Sequence, residues 1–185
     1  MILAMVRHGQ TYYNAAGIVQ GRVNIPLNQT GKKQSRDLAN IFTNQEIQFD
    51  LIASSPLSRA LETAFIISKK MRYNQPIRVE HQFVERDFFH LDELPVGDAM
   101  PLVRQKNYKF DGYEDDQLLI NRVVSAALKL ADAYENKKVL LVTHSHVIKA
   151  LRVYIDPKKY AFTDLVNNTD VIYFEIIDKQ IRIVE

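Results

Sequence analysis

The 185-residue chain has no cysteine. That excludes a disulfide framework, a thiolate zinc site, an iron–sulfur cluster and a cysteine nucleophile. It has no excess of charge of either sign: 24 Lys+Arg stand against 22 Asp+Glu, a net charge of +2. Such a balance argues against nucleic acid and against a membrane surface as partners. No apolar run approaches the roughly 18 residues that a membrane span needs. The apolar run Ile2 to Val6 has no basic segment before it and ends at Arg7, so it does not read as a signal peptide. A cytoplasmic location is the expectation. What the chain does have is 46 % hydrophobic residues over a length that suits one domain, 1–185. A chain of this size can bury a core without metal or disulfide.

The apolar pattern alternates between two periods. Ile2–Val6 and Val139–Val142 are continuous apolar runs of strand length, the pattern of strands buried on both faces of a parallel sheet. Leu51–Ala53 and Ile77–Val79 are shorter candidates. Val171–Ile177 and Ile181–Val184 flank Asp178-Lys179-Gln180 and predict a C-terminal hairpin. Between the strands lie helical stripes. One carries Leu38, Ile41 and Phe42, with Asn28 as its cap. Another carries Leu57, Ala60, Leu61, Ala64, Ile67 and Met71, with Ser55 predicted as N-cap and Pro56 as the first helical residue. Leu119, Val123, Ala126, Ala127, Leu130 and Tyr134 mark a longer helix, and Val147, Ile148 and Leu151 a shorter one. Strands alternating with helices predict an α/β fold: a three-layer α/β/α sandwich around a mostly parallel sheet of about six strands, ending in an antiparallel hairpin. The segment around 86–113, with Pro95, Gly97, Pro101 and Gly112, breaks the alternation and reads as a lid-like insertion.

Three polar segments each follow an apolar strand. Arg7-His8-Gly9-Gln10-Thr11-x-x-Asn14 follows the first. Open α/β sheets bind ligands outside the carboxyl ends of their strands, so Arg7 and His8 stand where chemistry is expected. Arg7 can hold a phosphate through two parallel charge-assisted hydrogen bonds, and Gly9 would let the backbone approach a ligand. Taken alone, the tripeptide also fits an ordinary polar strand end. Ser54-Ser55-Pro56-Leu57-x-Arg59-Ala60-x-x-Thr63-Ala64 opens a helix, a natural anion site that Arg59 could reach. An exposed, solvated Arg59 is the bland alternative. Thr143-His144-Ser145-His146 follows the Val139 strand. His-x-His could bind metal, but the neighbours lack the further Asp or His ligands of a hydrolytic cluster, and His146 reads as a residue of the helix or loop. Together, Arg7, His8, Arg59 and His144 form a cluster suited to a phosphate dianion.

At this point the chain resembles the histidine phosphatase superfamily, also called the phosphoglycerate mutase-like family. The resemblance covers nearly the whole chain. It rests on Arg7-His8-Gly9 with Thr11 and Asn14, Gln20-Gly21, Pro26-Leu27-x-x-x-Gly31, Ser54-Ser55-Pro56-Leu57-x-Arg59-Ala60, Glu85, Gly112-x-Glu114 with Arg122, Thr143-His144 and Asn168-Thr169.

The resemblance implies His8 as a nucleophile that becomes phosphohistidine. It implies Arg7, Arg59 and His144 on the phosphoryl oxygens, and Glu85 as general acid and then base, with Asp87 in reserve. Asn14, Gln20, Gly21 and Ser145 would contact the substrate. No cofactor and no metal are implied; the only implied partner is a small phosphorylated substrate, and the oligomeric state stays open. An acid that starts protonated near neutral pH needs a raised pKa, which burial under Phe88 and Phe89 would supply. Three residues depart from the family pattern. Ser145 replaces a glycine, Asp87 a histidine and Phe89 a glycine. The last two argue against a mutase, as does a chain ending just after its last strand. A phosphatase is therefore the expectation. A cofactor-dependent phosphoglycerate mutase and a non-catalytic phosphate-binding module are the alternatives. In the lid, Phe88, Phe89, Leu91, Leu94 and Val96 could pack a leaving group or form the lid's own core. Arg104, Lys106 and Lys109 could hold a second phosphate or form a solvated face.

Overall fold

The computed structural model describes residues 1–105 and 108–184; Lys106 lies outside them. Six strands form one sheet: β1 (Ile2–Arg7), β2 (Leu51–Ser54), β3 (Arg78–Val79), β4 (Lys138–Thr143), β5 (Val171–Ile177) and β6 (Gln180–Val184). Their order is β3-β2-β4-β1-β5-β6. The first four pair in parallel, β5 pairs antiparallel with β1, and β6 pairs antiparallel with β5 in the hairpin that the sequence predicts. The β5–β6 turn is made by Asp178 and Lys179, both at positive φ (49° and 62°), the conformation a two-residue hairpin turn requires.

The central strands are buried on both faces because helices cover both. On one face, α2 (Gln29–Asn44) and α3 (Ser58–Lys70) bury Leu38, Phe42, Ala64 and Ile67 against Ala4, Ile52 and Leu140. On the other, α5 (Asp116–Ala133) and α6 (Ser145–Ile155) bury Leu119, Val123, Leu130 and Ile148 against Leu3, Met5 and Leu141. Alternate residues along β1 and β4 therefore serve different cores. A short helix α1 (Tyr12–Ala16), capped by Thr11 and Asn14 in a reciprocal capping box, follows β1. Among the described residues, no helix is long and apolar enough to cross a membrane.

Two helix readings are corrected. Asn28 does cap α2, its side chain accepting from the Gly31 N–H, but Ile41 is half exposed and not part of the buried stripe. Helix α3 starts at Ser58 with Leu57 as N-cap, not at Ser55 and Pro56. The Ser55 hydroxyl is engaged elsewhere, as described below.

The 86–113 segment is more ordered than a loop. It holds a helix, α4 (Val96–Val103), which no periodic stripe announced, and a 3₁₀ turn at Phe89–Leu91. Phe88, Leu91, Ala99 and Tyr113 pack with Val19 into a small core of their own. Phe89 takes φ 52°, a conformation that favours glycine, and Gly112 (φ 88°) makes room for its ring.

Candidate active site

Register places the site. Arg7 pairs with Thr143 across β1 and β4, and Ser54 with Val142 across β2 and β4. The next residues, His8, His144 and Ser55, therefore leave three adjacent strands at one edge of the sheet. Ladder hydrogen bonds continue past the strands, from His8 N to Thr143 O (3.0 Å) and from Ser55 N to Val142 O (2.9 Å). The two imidazoles meet edge to face, 5.2 Å between ring centres.

His8 is buried, and its Nδ1–H donates to the Gly9 carbonyl at 2.7 Å. Its Nε2 faces the Nε–H of Arg59 at 3.2 Å. Both contacts fit a neutral ring protonated on Nδ1, with its lone pair on Nε2. Burial, then the charges of Arg59 and Arg7, hold the imidazole well below the ordinary histidine range against the pull of the Gly9 carbonyl. Gly9 itself is explained differently from the sequence reading. A Cβ there would lie 2.5 Å from the Gly31 carbonyl oxygen, so Gly9 permits the approach of α2 rather than of a ligand. Gly31 meets Gln10 equally closely, which accounts for the glycine of the Pro26–Gly31 motif.

Arg59 reaches the site from α3 and is buried. Its terminal nitrogens donate to the carbonyls of Val23 and Gly21, both at 2.7 Å. Gly21 sits at φ 44°, with Asp92 where a Cβ would stand. Burial pushes the guanidinium down to about 10, still a cation at neutral pH. Arg7 donates to the Val166 carbonyl at 2.6 Å, while its buried Nε has no partner among the described residues. Burial lowers its pKa too, against the charges of Glu85 and Asp170.

His144 is buried, and its Nε2 contacts Ser55 Oγ at 2.7 Å. Ser55 Oγ also accepts from the Leu57 N–H at 3.4 Å, so its own hydroxyl proton is free to go to His144 Nε2. That places the ring proton on Nδ1, which is buried without a partner. Among the described residues, Arg7 Nε and His144 Nδ1 are thus two buried donors without a partner close to His8, and an anion could satisfy both. Burial and the charge of Arg59 hold His144 well below the ordinary range, Glu85 opposing.

Glu85 is buried, its Oε1 accepting the Arg86 N–H at 2.9 Å. Its backbone is clamped from two sides. Arg122, paired with Glu114 at 2.7 Å, donates to the carbonyls of Gln82 and Val84, and Arg22 donates to the carbonyl of Glu85 itself. Arg22 also pairs with Asp87 at 3.0 Å. Asp87 does not line the cavity and Glu85 does. The expected raised pKa is not found. Burial alone would raise the Glu85 carboxyl, but the contact with His146 and the hydrogen bond from the Arg86 N–H outweigh it. Glu85 is thus a carboxylate held well below its usual range.

His146, which the sequence reads as a residue of the helix or loop, lies in α6 and also lines the cavity that holds Glu85. Its ring lies edge-on to Phe88 and stacked on Phe162, with Nδ1 3.9 Å from Glu85 Oε2. Burial lowers its pKa against the pull of Glu85. Asn14, Gln20, Gly21 and Ser145 all line the same cavity of about 650 Å³ as His8, Arg7, Arg59 and Glu85. Gln20 accepts from the Thr11 hydroxyl at 2.8 Å. Asn14 accepts from Asn168, which also donates to the His8 carbonyl at 3.0 Å. Among the described residues, no group of three or more His, Asp or Glu is placed to hold a metal ion.

Comparison with known proteins agrees with this geometry. The model of the histidine phosphatase superfamily (branch 1) matches residues 3–185. The uncharacterized phosphatase PhoE of Bacillus subtilis (strain 168) is 36 % identical over 171 residues, covering 89 % of this chain and 83 % of that one. A metal-independent phosphoserine phosphatase of Arabidopsis thaliana is 30 % identical over 159 residues, covering 80 % and 66 %. The crystal structure of phosphoglycerate mutase from Bacillus anthracis str. Sterne has the same fold, with a TM-score of 0.86 at 21 % identity, covering 100 % of this chain and 91 % of that one.

Proposed function

The chain belongs to the histidine phosphatase superfamily, and from that premise we propose that it hydrolyses small phosphomonoesters through a phosphohistidine on His8. The observation that carries the reading is the state of His8: neutral, fixed by Gly9, its Nε2 lone pair held beside the Arg59 guanidinium.

In the first step Nε2 of His8 attacks phosphorus, and the bond from phosphorus to the ester oxygen breaks. Arg7, Arg59 and His144 Nδ1–H take the equatorial oxygens, offsetting charge as it spreads in the transition state. Glu85 gives a proton to the leaving alkoxide. In the second step a water attacks phosphorus while Glu85 accepts its proton. The P–N bond breaks, inorganic phosphate leaves, and the lone pair returns to Nε2.

Glu85 has its pKa lowered in the free protein and starts as a carboxylate at neutral pH, so its proton must arrive with the substrate. A phosphate ester brings negative charge beside Glu85 and raises its pKa. The monoanion of the ester carries the proton that Glu85 then holds. Clamping of the 82–87 backbone by Arg22 and Arg122 keeps the carboxyl in place through both transfers.

Phosphate release from a panel of esters in the presence of a chelator tests the reading, with His8→Ala as control. The panel includes p-nitrophenyl phosphate, sugar phosphates, nucleotides and both phosphoglycerates. Release that depends on His8 is expected. Release that survives His8→Ala would refute the assignment.

A further inference from the structure

We propose that Lys149 sets the specificity of this site, and that it takes a carboxylate on the leaving group of the phosphomonoester; the inference rests on the phosphatase reading above.

Helix α6 delivers Lys149 to the cavity. Ser145, its first residue, lines the catalytic end, and Lys149 stands one turn further on the same face, lining the same cavity. The side chain is buried, only 8 % of the residue being exposed. An ammonium carries three donors. One is used, Nζ donating to the Phe162 carbonyl at 3.0 Å. Among the described residues no carboxylate lies within ion-pair distance of it. The acidic groups that line the same cavity are engaged elsewhere. Asp164 pairs with Arg152 at 3.8 Å and accepts the Ala161 N–H, Asp116 is taken by Arg86 at 2.6 Å, and Glu85 faces His146. A buried cation without a counter-ion is unfavourable, and an anion entering the cavity would relieve it.

The phosphate does not need this cation, because Arg7, Arg59 and His144 already serve it. The cavity also has room beyond the phosphate. Ile18, Val96, Met100, Val103 and Leu165 make an apolar wall around the remaining space. A leaving group with an organic body and an anionic end fits that combination. One ammonium with two free donors matches a carboxylate. The groups facing Lys149 are Arg7 from β1, Glu85 and Arg86 from the clamped segment, Asp164 from the loop after α6 and His146 from α6 itself. Burial, opposed by Glu85, brings the ammonium down to about 8.

The test compares wild type, Lys149→Met and Lys149→Arg on two pairs of esters, each differing by one carboxylate. The pairs are phosphoserine with phosphoethanolamine, and 4-carboxyphenyl phosphate with phenyl phosphate. Wild type is expected to prefer the carboxylate member by about tenfold in kcat/KM, the scale of one charge-assisted hydrogen bond. Lys149→Met should bring that ratio near one through KM, and Lys149→Arg should keep it. In wild type the ratio should fall as pH rises past about 8, where Lys149 loses its charge; in Lys149→Arg it should not. A wild-type ratio of one, or a ratio unchanged in Lys149→Met, overturns the proposal. Equal losses on all four esters would make Lys149 a phosphate ligand or a tether for Phe162, and would overturn it too. Absence of hydrolysis of every ester by wild type would instead refute the phosphatase reading, and this inference with it.

Discussion

Arg59 donates its Nε–H to Nε2 of His8 across 3.2 Å, while its two terminal nitrogens are held by the carbonyls of Gly21 and Val23. The guanidinium is therefore fixed by backbone before any substrate enters, and it is fixed against His8 Nε2, the atom proposed to attack phosphorus. Such preorganisation avoids reorganisation at the moment of reaction.

Arg59→Lys should keep the positive charge and lose that geometry, because an ammonium cannot make the planar fork. We expect kcat/KM to fall about 10²–10³-fold, the scale seen when one preorganised donor is removed from a charged transition state. Steady-state kinetics on p-nitrophenyl phosphate measures it. Unchanged kinetics would remove Arg59 from the site.

Glu85→Gln should lower kcat for alkyl phosphates by about 10²–10⁴-fold, the usual contribution of a positioned acid. Aryl phosphates should lose far less, since a phenolate leaves without a proton. Equal losses would point to another acid.

The pH profile has a predicted shape. Glu85 is ionised in the free enzyme, so the proton it needs enters on the substrate monoanion. For alkyl esters kcat/KM should fall as pH rises through the second phosphate ionisation, about 6. On the acid side the limb should lie below the ordinary histidine range, because burial and the guanidinium groups of Arg59 and Arg7 hold His8 down. A rise in kcat/KM from pH 6 to 8 for alkyl esters would contradict this.

Stability should also depend on pH. His8, His144 and His146 are buried with lowered pKa values, burial being the largest cause for each. The unfolded chain therefore binds protons that the folded chain refuses. Stability from these groups is complete above about pH 6.5 and is lost as pH falls below it, by at most about 1.4 kcal/mol per pH unit for each histidine. Thermal melts between pH 7.5 and 5 should show the decline. A flat melting temperature would contradict it.

Much of the site was readable because it depends on short stretches of sequence. Arg7-His8 and Thr143-His144 each follow an apolar run, and parallel pairing of those runs brings them together. Two other features depend on contacts distant in sequence. Ser55 looked like a helix cap, because a serine before proline has that local preference; its hydroxyl instead goes to His144, 89 residues away. His146 looked like a bystander, because its partner Glu85 is 61 residues away. The His-x-His spacing was the one local signal, and it suggested metal rather than a carboxylate. Helix α4 is not legible because it is short, with Gly97 and Pro101 within it, and because it packs in the small cluster of Val19, Phe88, Leu91 and Tyr113.

The most direct test is to trap the covalent intermediate. Enzyme mixed with a fast aryl phosphate and quenched in alkali, where acid-labile phosphohistidine survives, would be digested and read by mass spectrometry. One phosphoryl group on the peptide carrying His8 is the predicted result, absent in His8→Ala. Turnover with no phosphoryl group on His8, or with the group on another residue, would contradict the mechanism at its centre.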